Sequence, residues 1–306
     1  MSASGGTRAV VAALAANMGI ATIKFVAFAI TGSASMLAEA VHSVVDSGNQ
    51  GLLLIGARSA RRDATPQHPF GYGRDRYVYG FLVSLMLFSA GGLFALYEGV
   101  QKVRHPHHLE STIVAIIVLG VAIVLESFSL RTAVQESRTI KGDQSWAGFI
   151  RHSKVPELPV VLLEDVAALI GLVLAFAGVG LTAVTHNERW DAVGTLAIGM
   201  LLIAVAVILV VETKSLLIGE AATPADVDAI CASLVGGPID RVIHLRTMHL
   251  GPEELLVAAK VAMAPTTVLA DAAAAIDAAE ARVRAAVPLA RVIYVEPDID
   301  RGSADA

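Results

Sequence analysis

Six long apolar segments limit what this chain can fold into. A helix needs about 20 predominantly apolar residues to cross the hydrocarbon core of a bilayer. The composition agrees with such helices, because 55% of the residues are hydrophobic, only 17% are charged and the mean hydropathy is +0.65. We therefore predict six transmembrane helices, at roughly 9–31, 34–57, 77–100, 111–135, 158–185 and 190–217. The first segment lacks a small-residue cleavage site and leads into further spans, so we interpret it as a helix rather than a signal peptide.

The basic residues between these segments predict the orientation of the chain. Loops rich in Lys and Arg stay on the cytoplasmic side. Nine such residues flank the connections after spans two and four: Arg58, Arg61, Arg62, Arg74, Arg76, Arg138, Lys141, Arg151 and Lys154. Three flank the connections after spans three and five: Lys102, Arg104 and Arg189. This bias predicts that both termini are cytoplasmic. We expect a multi-pass protein of the inner (plasma) membrane of the cell.

The sequence beyond residue 222 has the pattern of a small soluble domain. Thr223-Pro224 is a helix-start signal, and a helix near 224–235 ends at Gly236-Gly237. Two alternating segments, a long Ala-rich helix and a last strand follow, which gives the order αββαβ. We therefore predict a transport domain at 1–222 and a cytoplasmic α+β domain at 223–306, a membrane α-helical fold with a small sheet domain appended.

Composition also excludes several classes of function. A single cysteine, Cys231, rules out a disulfide framework or a Cys-rich zinc module. The net charge of −5 lies in the tail, where 7 basic residues stand against 12 acidic ones, so nucleic acid is not an expected partner. The motifs GxSxG, HExxH and the phosphate-binding P-loop are absent from the sequence, and we predict that the protein is not an enzyme.

Two of the apolar segments contain ionisable residues that need an explanation. In the second segment, His42 and Asp46 are one helical turn apart and therefore lie on one face. An ionised Asp in mid-membrane costs about 2.5–3.5 kcal/mol on insertion scales, so it needs a partner or a wet cavity. The pair is either half of a divalent-cation site or a hydrogen-bonded staple between helices. Asn49, one turn beyond Asp46, is a possible auxiliary ligand.

The fifth segment adds a second pair of carboxylates, Glu164 and Asp165. Adjacent helical residues point about 100° apart, so one of them faces the core of the bundle and the other its flank. Together with His42 and Asp46 they supply an imidazole and three carboxylates, enough for a four-coordinate divalent ion. Because neighbouring carboxylates repel each other, metal and protons would compete for the same atoms. This chemistry is that of a metal/proton antiporter.

The motifs identify a family resemblance over nearly the whole chain. The chain resembles the cation diffusion facilitators in HSVVD (42–46), SGNQGLLLIG (47–56), HPFGYGR (68–74) and LIGEAATP (217–224). The resemblance implies a ferredoxin-like cytoplasmic domain, a homodimer in the lipid bilayer, and export of a divalent cation, usually zinc, in exchange for protons by alternating access. It places His42, Asp46 and Asp165 on ligand positions of the family. No cofactor is implied, since the metal is transported.

The chain departs from the commonest family pattern at three places. The first ligand position of span five falls on Val161, and Glu164 is the replacement, as in the branch with Glu-Asp in this helix. In the loop after span two, His68 matches but its partner position falls on Tyr72, which leaves Asp63 as a further candidate. In the tail, the zinc-binding histidine positions fall on Ile243, Lys260 and Val295, which predicts a dimerisation module with few or no metals.

These observations predict a zinc/proton antiporter. One imidazole with three carboxylates is a harder ligand set than two imidazoles, so manganese or iron is the alternative substrate. An alternative of another class is a membrane-anchored metal sensor. The insertion cost of four ionisable residues in two spans argues against it, because a simple anchor does not need them.

Overall fold

The structure, a computed structural model, describes residues 4–31, 34–105 and 112–300, and describes side chains for 7–29, 43–105 and 113–300. Contacts within the chain divide it into two compact units. The first unit contains the described residues up to Arg61 together with Asp75–Lys214, and the second contains Arg62–Arg74 and the chain from Ser215 onward. The sequence predicts one division near residue 222, and it does not predict that the loop after span two belongs with the C-terminal unit.

Long helices form the first unit. In chain order they are α1 (Ser4–Thr31), α2 (Ala34–Ser59), α3 (Asp75–Met86), a π-helical segment (Leu87–Leu93), α4 (Phe94–Arg104), α5 (Thr112–Lys141), the short α6 (Trp146–His152), α7 (Glu157–Thr185) and α8 (Arg189–Ile218). α3, the π-helical segment and α4 are continuous and together form the predicted third span. The helices enclose an apolar core that includes Leu53, Val83, Leu158 and Leu209.

Five of the described helical segments are long and apolar enough to cross a membrane. They are Thr7–Ala29, Asp75–Arg104, Ile113–Lys141, Glu157–Thr185 and Arg189–Ile218. These five confirm predicted spans one and three to six. α2 has 26 residues, about 39 Å of helix at 1.5 Å per residue, but its polar residues lower its hydropathy below that of a typical span. The predicted second span, α2, therefore stays a prediction.

Glycines allow close contact between the third and sixth spans. A Cβ at Gly92 would lie 2.5 Å from Ile203, and one at Gly99 would lie 2.8 Å from Leu196. From the other side, a Cβ at Gly199 would lie 2.8 Å from the backbone nitrogen of Leu96. Small residues at such positions let helices in a bilayer gain van der Waals contact. The π-helical segment ends at this contact, and π-turns in helices often occur where packing or function requires a change of register.

A buried ion pair joins the start of α3 to the start of α7. The guanidinium of Arg76 donates from both Nε and Nη2 to the carboxylate of Glu157, with an Nη2–Oε2 distance of 2.8 Å. Both side chains are buried. A two-point Arg–carboxylate contact fixes relative orientation as well as distance, so this pair aligns the two helices at one end of the bundle.

The second unit contains the predicted αββαβ domain. Its elements are α9 (Pro224–Leu234), β1 (Ile239–Gly251), β2 (Glu254–Met263), α10 (Leu269–Ala286) and β3 (Ala290–Asp298). The sheet order is β1-β2-β3, with β1 and β2 antiparallel and β2 and β3 parallel. Thr223 caps α9 by accepting a hydrogen bond from the amide of Asp226 at 3.2 Å, as its sequence signal predicts.

The loop Arg62–Arg74 packs within this second unit. Gly73 lies against the turn between β1 and β2, where a Cβ would come within 2.9 Å of the carbonyl oxygen of Leu250. Arg74 Nη2 lies 3.1 Å from the sulfur of Met248. Within the loop, the guanidinium of Arg62 stacks 4.0 Å above the ring of Tyr72. The HPFGYGR motif therefore has a structural role in holding this loop on the sheet domain.

We expect Gly199→Ala to destabilise the protein and Gly120→Ala to leave its stability nearly unchanged. The added methyl at Gly199 meets the backbone of the third span, and such overpacking costs about 1–3 kcal/mol. A Cβ at Gly120 meets nothing within 4 Å. Thermal unfolding of both variants in detergent tests this, and equal melting temperatures would contradict the close contact between the spans.

Glu157→Gln is expected to lower stability far more than the same change at an exposed ion pair. Removing one charge leaves Arg76 buried without its counter-charge, which typically costs about 3–5 kcal/mol. The control is Glu280→Gln, which breaks the exposed Glu280–Arg284 pair and costs at most about 0.5 kcal/mol. Thermal unfolding in detergent compares the two variants. Equal melting temperatures for Glu157→Gln and Glu280→Gln would show that the buried pair does not align the helices.

Candidate metal site

The two adjacent carboxylates of α7 face different helices. Glu164 is 7% exposed and points toward α2, while Asp165 is 2% exposed and points toward α5. This separation follows from the rotation of about 100° between neighbouring helical residues. Val161, one turn before Asp165, is fully buried in the apolar core. α7 therefore presents two carboxylates to two neighbours.

Amide side chains of α2 hold Glu164 at both of its oxygens. Asn49 Nδ2 donates to Oε1 and Gln50 Nε2 donates to Oε2, each at 2.9 Å. Gln50 is itself positioned by α1, because Asn17 Nδ2 donates to its Oε1 at 3.2 Å. Three helices thus meet at one carboxylate. The donors are neutral, so they orient the carboxylate without cancelling its charge.

On the other side, α5 supplies the hydrogen bond to Asp165. Ser129 Oγ donates to Asp165 Oδ2 at 2.8 Å. Glu126, one turn before Ser129, is 3% exposed and lies close enough to Asp165, Glu164 and Asp46 to interact with their charges. The described part of the first unit therefore contains three buried carboxylates from α5 and α7, with the half-buried Asp46 of α2 close enough to act on Glu126 and Glu164.

The α2 half of the predicted site is described only in part. Asp46 is half-buried, and its charge acts on Glu164. His42 belongs to α2, but its side chain lies outside the described residues. Among the side chains that are described, no group of three or more His, Cys, Asp or Glu converges closely enough to hold a metal ion. The four-residue site of His42, Asp46, Glu164 and Asp165 stays a prediction.

The loop after α2 contains the two other candidate ligands, His68 and Asp63. The ring of His68 lies 4.6 Å from the ring of Tyr72, and Asp63 is exposed. Within the described ranges they belong to no group of residues that could bind a metal, and their role as auxiliary ligands also stays a prediction.

In the tail, a lysine occupies one of the positions at which the family resemblance implies a histidine. Lys260 Nζ lies 3.0 Å from Glu296 Oε1 and 3.2 Å from Asp298 Oδ2. The hydrogen bonds to Glu296 and then Asp298 raise the pKa of the Lys260 ammonium. Lys260 on β2 thus pairs with two carboxylates of the neighbouring strand β3, so a cation of the protein itself offsets part of their charge.

Sequence reasoning misses the importance of three residues around the carboxylates. From the sequence alone, Gln50 and Glu126 are interpreted as interhelical hydrogen-bonding groups, and Ser129 has no assigned role. The sequence does indicate a polar helix face in the fourth span, because Glu126 and Ser129 are three residues apart in an apolar segment and so share one face.

Apolar helices around a buried cluster of carboxylates define an integral membrane protein with an ionisable centre, the class that contains ion transporters. Residues 10–218 match the model of the cation efflux transmembrane domain. The chain belongs to the cation efflux family, the cation diffusion facilitators, as its motifs predict. This is a family of transporters rather than enzymes, in agreement with the sequence.

Named relatives agree with this assignment. The chain is 36% identical to the human protein named proton-coupled zinc antiporter SLC30A9, mitochondrial. The 224 aligned residues cover 72% of this chain and 39% of that protein. It is 31% identical to metal tolerance protein C4 of Arabidopsis thaliana, over 80% of this chain and 54% of that protein. It is also 27% identical to the cation-efflux pump FieF of Klebsiella pneumoniae, over 82% of this chain and 79% of that protein. The chain thus spans about two fifths of the length of SLC30A9.

We expect Gln50→Leu to destabilise the first unit. The change removes a donor from the buried carboxylate of Glu164 and the acceptor of Asn17, and a lost hydrogen bond inside a membrane bundle costs about 1–2 kcal/mol. Gln135→Leu on the exposed face of α5 is the matched control. Thermal unfolding in detergent compares the two variants. If they melt at the same temperature, Gln50 does not support Glu164.

Proposed function

We propose that the protein exports a divalent metal cation, with zinc as the main substrate, in exchange for protons. The observation that carries this proposal is the buried carboxylate cluster, in which Glu164 and Asp165 are oriented by neutral donors from α2 and α5. Carboxylates without a permanent cationic partner attract both metal ions and protons. The printed names of the human and Klebsiella relatives, a zinc antiporter and a cation-efflux pump, support the same activity.

His42, Asp46, Glu164 and Asp165 are the proposed ligands of the transported ion, with Asn49 as an auxiliary. Imidazole and carboxylate are both ligands of zinc, and an excess of carboxylate oxygen favours harder ions such as manganese or iron(II). Manganese or iron transport by the same mechanism is therefore the second candidate function, supported by the oxygen-rich cluster around Glu126.

The proposed mechanism is alternating access. The ion enters the carboxylate cluster from the cytoplasm, the helices rearrange to open the cluster to the other side, and protons replace the ion there. Protonation of the carboxylates removes the negative charge that holds the metal. The metal therefore leaves the cytoplasm in one half of the cycle, and protons enter it in the other. The excess of basic residues in the connections after spans two and four supports cytoplasmic termini. Insertion in the inner (plasma) membrane is part of the proposal. The working form is proposed to be a homodimer joined through the C-terminal domain.

Asp165→Asn and Asp46→Asn are expected to reduce metal-driven proton flux at least tenfold, because each removes a charged ligand while keeping the size of the side chain. The control is Asp143→Asn, in the exposed connection between α5 and α6. The assay uses purified protein in proteoliposomes with a pH-sensitive dye inside, challenged with zinc, manganese, iron(II) or cobalt. Full flux in both ligand variants would overturn the site. Absence of metal-driven flux in the unmodified protein would overturn the proposed function.

A further inference from the structure

Glu126 lies on the buried face of α5. The buried residues of this face are three or four positions apart along the helix, and they include Ala122, Glu126, Ser129, Ala133 and Ser137. Ser129 is the residue that donates to Asp165. Because Glu126 is one turn away on the same face, its carboxylate is directed toward the same interior space as Asp165.

The surroundings of Glu126 are unfavourable for a carboxylate. Among the described residues, no hydrogen bond or salt bridge is formed by its side chain, although it is 3% exposed. The charges that act on it come mainly from Asp165, Glu164 and Asp46, with Lys24 as the opposing cation. Three repulsive neighbours against one attractive one leave this position with excess negative potential.

A second, independent group lies beside Glu164, one of the carboxylates that act on Glu126. The side-chain oxygen of Asn49 is buried and has no hydrogen-bond partner within the part of the chain that the structure describes. The amide nitrogen of the same side chain is used by Glu164. A buried acceptor without a donor is uncommon in folded proteins and calls for a ligand, an ion or water. A cation binds both kinds of group, since an amide oxygen and a carboxylate are both oxygen ligands.

The charges of the cluster also favour a bound cation. Asp46, Glu164 and Asp165 all act on Glu126 as like charges, and Lys24 acts on Glu126 as an opposite charge. Lys24 Nζ donates to the hydroxyl of Ser43 on α2 at 3.0 Å. One lysine offsets a single charge, so the carboxylates among the described residues of this cluster outnumber its cation, and a divalent ion adds attraction at this point.

We propose that Glu126 is a ligand of the transported cation, contributed by the fourth span. The inference rests on the proposed function and extends the site beyond the second and fifth spans to α5. Ligation requires the carboxylates to rotate toward one another, because Glu164 is turned to the α2 amides and Asp165 to Ser129. An added carboxylate makes the ligand set richer in oxygen, so Glu126 also contributes to accepting manganese beside zinc.

Isothermal titration of the purified full-length protein with zinc and with manganese tests this inference. Glu126→Gln keeps the shape of the side chain and removes its charge, and we expect at least a tenfold weaker Kd for both metals. The matched control is Glu136→Gln, the same substitution on the same helix, which should change the Kd by less than twofold. Asp165→Asn serves as the reference for loss of a predicted ligand.

The titration separates the inference from the proposed function. If Glu126→Gln binds both metals as tightly as the unmodified protein while Asp165→Asn does not, the inference is overturned and the proposed function stands. The inference is also overturned if Glu126→Gln lowers only the metal-free melting temperature, since Glu126 then serves as a counter-charge for Lys24. No metal binding by the unmodified protein overturns the proposed function instead.

Glu126→Asp covers the case in which the glutamine variant does not fold. It keeps the charge but moves the carboxylate back by one methylene, so we expect folded protein with weaker metal binding and an altered ratio of the zinc and manganese Kd values. Unchanged affinities and an unchanged ratio would rule out ligation by Glu126.

Discussion

A carboxylate inside a bilayer must be hydrogen-bonded, hydrated or neutralised, and the first unit is organised around this requirement. Glu164 draws together α7, α2 and α1, because its two oxygens accept from Asn49 and Gln50 and Gln50 accepts from Asn17. Asp165, the next residue, binds Ser129 and thereby brings in α5. Two adjacent residues of one helix thus determine the contacts of three others. Apolar packing alone would not specify these rotations, since lipid tails are as apolar as the helix surfaces.

Buried or clustered carboxylates of this protein have three kinds of partner. Glu157 receives a permanent cation, Arg76, in a two-point contact. Glu296 and Asp298 in the sheet domain share Lys260. Among the described side chains, Glu164 and Asp165 accept hydrogen bonds from neutral donors, which fix their direction and preserve their charge. The first two arrangements are suited to holding structure, while the third preserves the negative charge that the proposed function requires.

The sequence predicts those parts of the fold that depend on length and periodicity. Five apolar segments form helices within a few residues of the expected limits, and the αββαβ order is correct because cap and turn residues such as Thr223 and Gly236-Gly237 mark its boundaries. The π-helical turn at Leu87–Leu93 and the membership of Arg62–Arg74 in the second unit depend on contacts with distant residues. No local pattern records such contacts. For the same reason, the spacing of Glu164 and Asp165 predicts that they face different neighbours but not which ones.

The departure at Val161 now has a physical interpretation. The family resemblance implies two ligands one turn apart on one face of span five, whereas here Val161 is packed in the apolar core and the proposed ligands of this span are the adjacent Glu164 and Asp165. Glu164 is turned toward the amides of α2, while Asp165 faces Ser129 of α5, one turn from Glu126. A cluster that has lost a ligand on one helix can be completed from another helix, provided the face of that helix is already directed inward. On α5 that face is directed inward: Glu126 is buried there with the small residues Ala122, Ser129 and Ala133, and Ser129 already donates to Asp165 of α7.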